Sequence, residues 1–146
     1  IMFPAYDTVP ATLSRNILTN VLRNELGFEG LILTDCLEMK AIADMYGTAN
    51  GALMAVLAGA DLCDISHTLE YQIKALELLE EAVNDGRLPV EELDKKVERI
   101  LKFKEKTLVV KIYHYIVFIT KEKDMSFAGP FLVFLLLILL YFLVLN

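Results

Sequence analysis

Apolar and polar positions along this chain follow two different periods, and the switches between them lay out its elements. From Ser14 onward, Ile17, Leu18, Val21, Leu22 and Leu26 recur at helical spacing. Ser14 suits the N-cap of that helix, and Gly27 suits its C′ position. The next run, Leu31 to Leu33, is short and wholly apolar, with Gly30 before it and Thr34-Asp35 after it. It predicts a buried strand over 30–35 of the kind found in parallel sheets. A helical stretch from Glu38 to Met45 follows, Gly47 interrupts it, and Ala49 to Leu57 resumes a helix rich in small residues. Ala60-Asp-Leu-Cys-Asp-Ile65 reads as the next strand. Leu69, Ile73, Leu76, Leu79 and Val83 then mark an amphipathic helix that ends at Asn84-Asp-Gly86. A last helix starts near Pro89, with Leu93, Val97, Ile100 and Leu101 expected to face inward. Upstream, Ile1 to Ala5 reads as the end of a strand that runs into a loop through Tyr6-Asp7.

Strands that alternate with helices in this way predict an α/β fold of consecutive βα units on a parallel sheet. In such folds chemistry is placed at the C-terminal ends of the strands. Asp35, a lone carboxylate at the end of an apolar strand, is therefore the first candidate for a catalytic residue. On the residues alone, a strand-end aspartate that caps the following helix is the favoured explanation.

Composition divides the chain in two. Residues 1–106 hold 11 basic and 18 acidic residues and six aromatics, whereas residues 107–146 hold three basic, two acidic and eight aromatics. The first part thus has net charge −7 and the second +1, for −6 overall. No basic stripe offers phosphate neutralisation, which argues against nucleic acid as a partner. Residues 107–146 are expected to be a separate, hydrophobic tail. Within it, Phe127 to Leu145 is an uncharged run of 19 residues, flanked by Lys121 and Lys123. That length is at the lower edge of the ~17–25 residues that span a bilayer, so a membrane partner through the tail is one expectation. Frame-shifted or mis-assembled sequence is the other, and it is favoured because an evolved anchor follows a linker rather than interrupting a core helix. The opening on Ile1 rather than methionine predicts that the chain is a piece of a longer protein.

Four words occur in order: Pro10-Ala-Thr-Leu-Ser14, Val21-Leu-Arg-Asn-Glu-Leu-Gly-Phe28, Thr34-Asp35-Cys-Leu-Glu-Met39-Lys-Ala-Ile-Ala-Asp44, and Ala58-Gly-Ala-Asp61. Together they resemble glycoside hydrolase family 3, in its β-N-acetylhexosaminidase branch, over about residues 1–106. The resemblance implies the sixth to eighth units of an incomplete (β/α)8 TIM-type barrel; 146 residues are too few for a closed one, which needs ~200 or more. It implies that Asp35 is the nucleophile of a retaining glycosidase, and that Met39 helps to wall the sugar site, although Met39 suits a core position equally well. It further implies a carbohydrate substrate ending in N-acetylglucosamine and no metal or organic cofactor. The branch's acid/base histidine, with its aspartate partner, and its lysine-histidine sugar-binding word belong upstream of Ile1. The chain alone is therefore expected to be catalytically incomplete. The rival expectation is a small membrane-anchored, non-catalytic remnant.

The remaining polar residues read as structure. Asp7 lies at a strand end that could face the same cleft, and turn formation explains it equally. Asp61 and Asp64 flank the second strand and are expected to cap helices or lie on the surface. Cys36 and Cys63 are expected to be buried free thiols. Cys63 and His67 are four apart, but no second Cys/His pair completes a tetrahedral metal set, and His67 reads as a loop residue before a helix. Glu80-Glu81 and Glu91-Glu92 are solvated helix faces, since neighbours in sequence do not face each other on a helix.

Overall fold

The computed structural model describes the backbone of residues 1–122 and the side-chain surroundings of residues 1–107. Residues Ile1–Glu105 form one compact unit. Its centre is a pair of parallel strands, β1 (Leu33–Cys36) and β2 (Leu62–Asp64), with Leu33 opposite Leu62 and Cys36 opposite Asp64. An irregularity in register falls between those two pairs. The two strands are thus neighbours and run in the same direction, as the α/β expectation required. Each is shorter than the strand expected over 30–35 or 60–65. Leu31 and Ile32 remain outside β1, although the Ile32 carbonyl still accepts the N–H groups of Asp61 and Leu62 at 2.8 and 3.2 Å.

The expected strand at Ile1 to Ala5 does not form. Met2 instead makes an isolated antiparallel bridge with Pro10, closing residues 1–11 on themselves. Among the described residues the sheet therefore has two strands, and both of its edges lack a third partner.

Residues 11–25 start as a short 3₁₀ turn, Ala11–Leu13, and continue as a π-helix over Asn16–Glu25. The wide winding shows at its end, where the Leu26 N–H donates to the Val21 carbonyl five residues back, at 2.9 Å. Ser14 starts the helix as expected: its hydroxyl accepts the Ile17 N–H at 3.1 Å. Gly27 ends it with φ +64°, the left-handed conformation that a C′ glycine adopts without a Cβ penalty. No residue of the π-helix is fully buried, and Leu26, expected on its inner stripe, is 72% exposed.

Helices α1 (Lys40–Tyr46) and α2 (Thr48–Ala58) are separated by Gly47 as the sequence predicts. Helix α2 is buried nearly all round, and its alanines Ala49, Ala52, Ala55 and Ala58 let neighbouring elements approach closely. It packs against α3 (Leu69–Asn84), which contributes Ala75 and Ala82 to the core. Leu37 and Leu88 are essentially fully buried, worth about 1.5–3 kcal/mol each in transfer from water. Helix α4 covers Val90–Glu122, so the helix expected from Pro89 continues through Thr107 to Glu122.

The leucine stripe of α3 and the inner face of α4 depart from expectation. Leu69, Ile73, Leu76, Val97 and Leu101 are 44–68% exposed. Leu76 and Val97 border an apolar hollow of about 840 Å³ against β2. Within residues 1–105, Leu79 and Val83 of the α3 stripe and Leu93 of α4 do pack against the core, half-buried, while those five residues stay open. Among the described residues no helix is long and apolar enough to cross a membrane. The span expected at Phe127 to Leu145 lies outside the described residues.

Candidate active site

The two ends of the sheet differ in kind. At the N-terminal end the chemistry is spent on holding the fold. Asp61, just before β2, has a fully buried side chain and lies between Arg23 of the π-helix and Arg99 of α4. Its Oδ1 accepts from Arg99 Nε and Nη2 at 2.9 and 2.7 Å, and its Oδ2 accepts from Arg23 and from the Ile32 N–H. Arg23 also donates to the carbonyls of Phe28 and Gly30, both at 2.6 Å, tying the turn after the π-helix to the start of β1. Lys96 is buried beside them and donates to the Ala60 carbonyl at 3.0 Å; burial pulls its pKa down, and the nearby Asp61 opposes that shift. Asp61 is thus neither a helix cap nor a surface residue, contrary to expectation. It is the buried counter-charge of three cations.

The C-terminal end is open. In β1, Leu33 and Asp35 are exposed while Thr34 is buried and Cys36 half-buried, so the period-2 alternation puts Leu33 and Asp35 on the free face. Asp35 Oδ1 accepts the N–H of Cys36 at 2.8 Å. Among the described residues no ion pair ties it down. The alternative role, capping α1, is not taken up: α1 has no side-chain cap. Met39, the other candidate, sits in the turn before α1 and is 54% exposed, so it is not the core side chain that its spacing also allowed.

Thr34 and Asp64 lock the strand ends together, the Thr34 hydroxyl accepting the Asp64 N–H at 3.0 Å. Asp64, the last residue of β2, accepts from the hydroxyl of Ser66 in the loop that follows. Asp7 bonds the Ser14 hydroxyl at 2.6 Å and the Thr8 N–H at 2.7 Å, and the Ser14 bond above all holds its carboxyl below the usual range. This is the turn-forming role.

Glu38 does what sequence reading missed. Its two carboxylate oxygens accept the N–H groups of His67 and Thr68, each at 2.9 Å, so it satisfies backbone donors just ahead of α3 from thirty residues away. Hydrogen bonding with the Thr68 side chain above all, and then these backbone bonds, lowers its pKa against the opposing effect of burial. The backbone bonds also bring His67 next to the β1 end: one donor atom each from Cys36, Glu38 and His67 lie within 4.8 Å of one another. His67 is a loop residue ahead of α3, as expected, and Cys63 takes no part in this cluster. Cys63 faces α2, where its thiol donates to the Ala52 carbonyl at 3.7 Å, and burial pushes it up to about 11. Both cysteines are free, and both are half-buried rather than fully buried.

Residues 1–103 match the glycosyl hydrolase family 3 N-terminal domain. Over 103 residues the chain is 35% identical to beta-hexosaminidase A of Pseudoalteromonas piscicida, covering 66% of this chain and 17% of that protein. It is 37% identical over 79 residues to a beta-hexosaminidase of Vibrio cholerae serotype O1, covering 54% of this chain and 24% of that one. The solved glycoside hydrolase family 3 beta-N-acetylglucosaminidase from Paenibacillus sp. superposes with a TM-score of 0.71 at 47% identity, over 74% of this chain and 21% of that one. The chain thus spans about a fifth of the length of these relatives. The match covers most of the chain and coincides with the folded unit that holds Asp35. The protein belongs to glycoside hydrolase family 3.

Proposed function

We infer that residues 1–106 supply the last βα units of a retaining β-N-acetylhexosaminidase barrel, and that Asp35 is its nucleophile. The observation that carries this reading is the position of Asp35: exposed, on the free face of β1, at the C-terminal end of the strand. An ionised carboxylate there attacks the anomeric carbon of a terminal β-linked N-acetylglucosamine. The glycosidic C–O bond breaks, and the leaving oxygen takes a proton from an acid on the missing upstream units. Water, deprotonated by that same group, then hydrolyses the glycosyl ester and frees Asp35. Met39, exposed one turn further along the chain, walls the sugar.

The exposure of Leu33 and Leu62, at 64% and 37%, supports the barrel assignment, because these apolar residues face a side that further strands would cover. The same incompleteness makes the chain inactive alone. General acid catalysis is typically worth ~10²–10⁴-fold, and the sugar-binding groups are lost with it. The experiment is an assay with an aryl N-acetyl-β-glucosaminide on the chain alone and on the chain joined to the upstream units of a close relative. No turnover alone and turnover when joined are the expected results. Turnover by the chain alone, or none after correctly folded joining, contradicts the reading.

A further inference from the structure

We propose that Cys36, Glu38 and His67 form a binding site for a zinc-class divalent cation at the C-terminal end of the sheet. The three residues come from two connections that the parallel pairing of β1 with β2 places side by side. Cys36 ends β1, Glu38 follows in the turn to α1, and His67 lies in the loop between β2 and α3. Their donor atoms lie within 4.8 Å of one another. A tetrahedral ion with Zn–S about 2.3 Å and Zn–N about 2.0–2.1 Å would bring ligand atoms to roughly 3.3–3.6 Å, a closure within reach of side-chain rotation. His67 is exposed.

The carboxylate is already aimed. Each Glu38 oxygen accepts one backbone N–H, from His67 or Thr68, which fixes the plane of the group and leaves a lone pair on each oxygen for a metal. The donor set also sorts the ion. A thiolate with an imidazole favours zinc or cobalt, whereas magnesium and calcium call for oxygen ligands alone. Three protein ligands leave the fourth position to water. An entry path exists: Glu38 and His67 border an open cleft of about 500 Å³ shared with Asp44, Thr48 and Tyr71. On binding, the Cys36 thiol becomes a thiolate, its proton passes to the buffer, and sulfur donates its electron pair to the metal. The bound ion would pin the β1–α1 turn to the β2–α3 loop one residue beyond Asp35. This site does not depend on the role assigned to Asp35.

The test is a titration of the full chain with Co²⁺ under reducing conditions, followed by thiolate-to-cobalt charge-transfer absorption and by proton release. Saturation near one equivalent is expected, with Zn²⁺ bleaching the band. Cys36→Ser should abolish the band, and His67→Ala should weaken binding at least as much as the roughly 10–100-fold that losing an orienting partner costs. Cys63→Ser should leave the band in place. Cys36→Ser and His67→Ala both retain the backbone bonds to Glu38, and circular dichroism on each verifies that α3 is intact. No charge-transfer band in the wild-type chain overturns the proposal. So does a band that survives Cys36→Ser or disappears in Cys63→Ser.

Discussion

Arg99 grips Asp61 with two donors on one oxygen, Nε at 2.9 Å and Nη2 at 2.7 Å, and so fastens α4 to the N-terminal end of β2. Arg23 takes the other oxygen from the opposite side in sequence; both arginines lie 38 residues from Asp61. A fully buried carboxylate with two cations is costly to break, because removing the charge strands the partners. Asp61→Asn should destabilise the chain by about 2–4 kcal/mol, somewhat below the loss for a wholly buried pair, since the arginines are partly exposed. Arg99→Lys, which keeps the charge and loses the two-pronged geometry, should cost less. Urea midpoints at constant slope measure both. An unchanged midpoint for Asp61→Asn would show the network to be solvated.

A second prediction separates two glycines. Gly59 has φ +127°, and a Cβ there would meet the Thr19 hydroxyl oxygen at 2.6 Å. That hydroxyl is held in place by donating to the Ala58 carbonyl at 2.7 Å. Gly27, at φ +64°, would place a Cβ in open space. Gly27→Ala should therefore cost only the left-handed backbone penalty of about 1 kcal/mol, and Gly59→Ala distinctly more. Equal thermal shifts for the two variants would contradict the close packing of the α2 end on the π-helix.

A third concerns the thiols. Burial holds the Cys63 pKa at about 11, so only about one part in a thousand is thiolate at pH 8. Alkylation of Cys63 by iodoacetamide should be slow at pH 8 and should quicken about tenfold per pH unit up to its pKa. Peptide mass spectrometry reads the rate at each site. A rate at Cys63 that is flat between pH 8 and 10 would mean that the thiol is not shielded as described.

Much of the frame was legible in local pattern. Gly27, Gly47 and the apolar runs placed β1, α1, α2 and β2 because each signal is decided by a few neighbouring residues. What was not legible depended on partners far along the chain. Asp61 reads as a surface or capping aspartate until Arg23 and Arg99 are folded onto it. Glu38 reads as the start of a helix, yet its carboxylate serves backbone donors ahead of α3. The stripe of Ile17, Leu18, Val21 and Leu22 fits a π-helix as well as an α-helix over so short a span, so its winding could not be read from spacing. The strand expected at Ile1 to Ala5 gives way to the bridge between Met2 and Pro10, a closure of the segment on itself that its apolar pattern does not announce. At the candidate site, the exposed position of Asp35 near the end of β1 follows from its place after an apolar run. The approach of Cys36 to His67 was hidden, since only strand pairing brings the two together.

The account rests on Asp35 as the nucleophile, and one measurement addresses that directly. The chain, joined to the upstream units of a close relative, is incubated with a slow fluorinated N-acetylglucosaminyl donor, and its peptides are analysed for a covalent sugar. The account predicts one adduct, on the peptide that contains Asp35, and none in the Asp35→Asn variant. An adduct on any other residue, or full hydrolytic activity in Asp35→Asn, would contradict it.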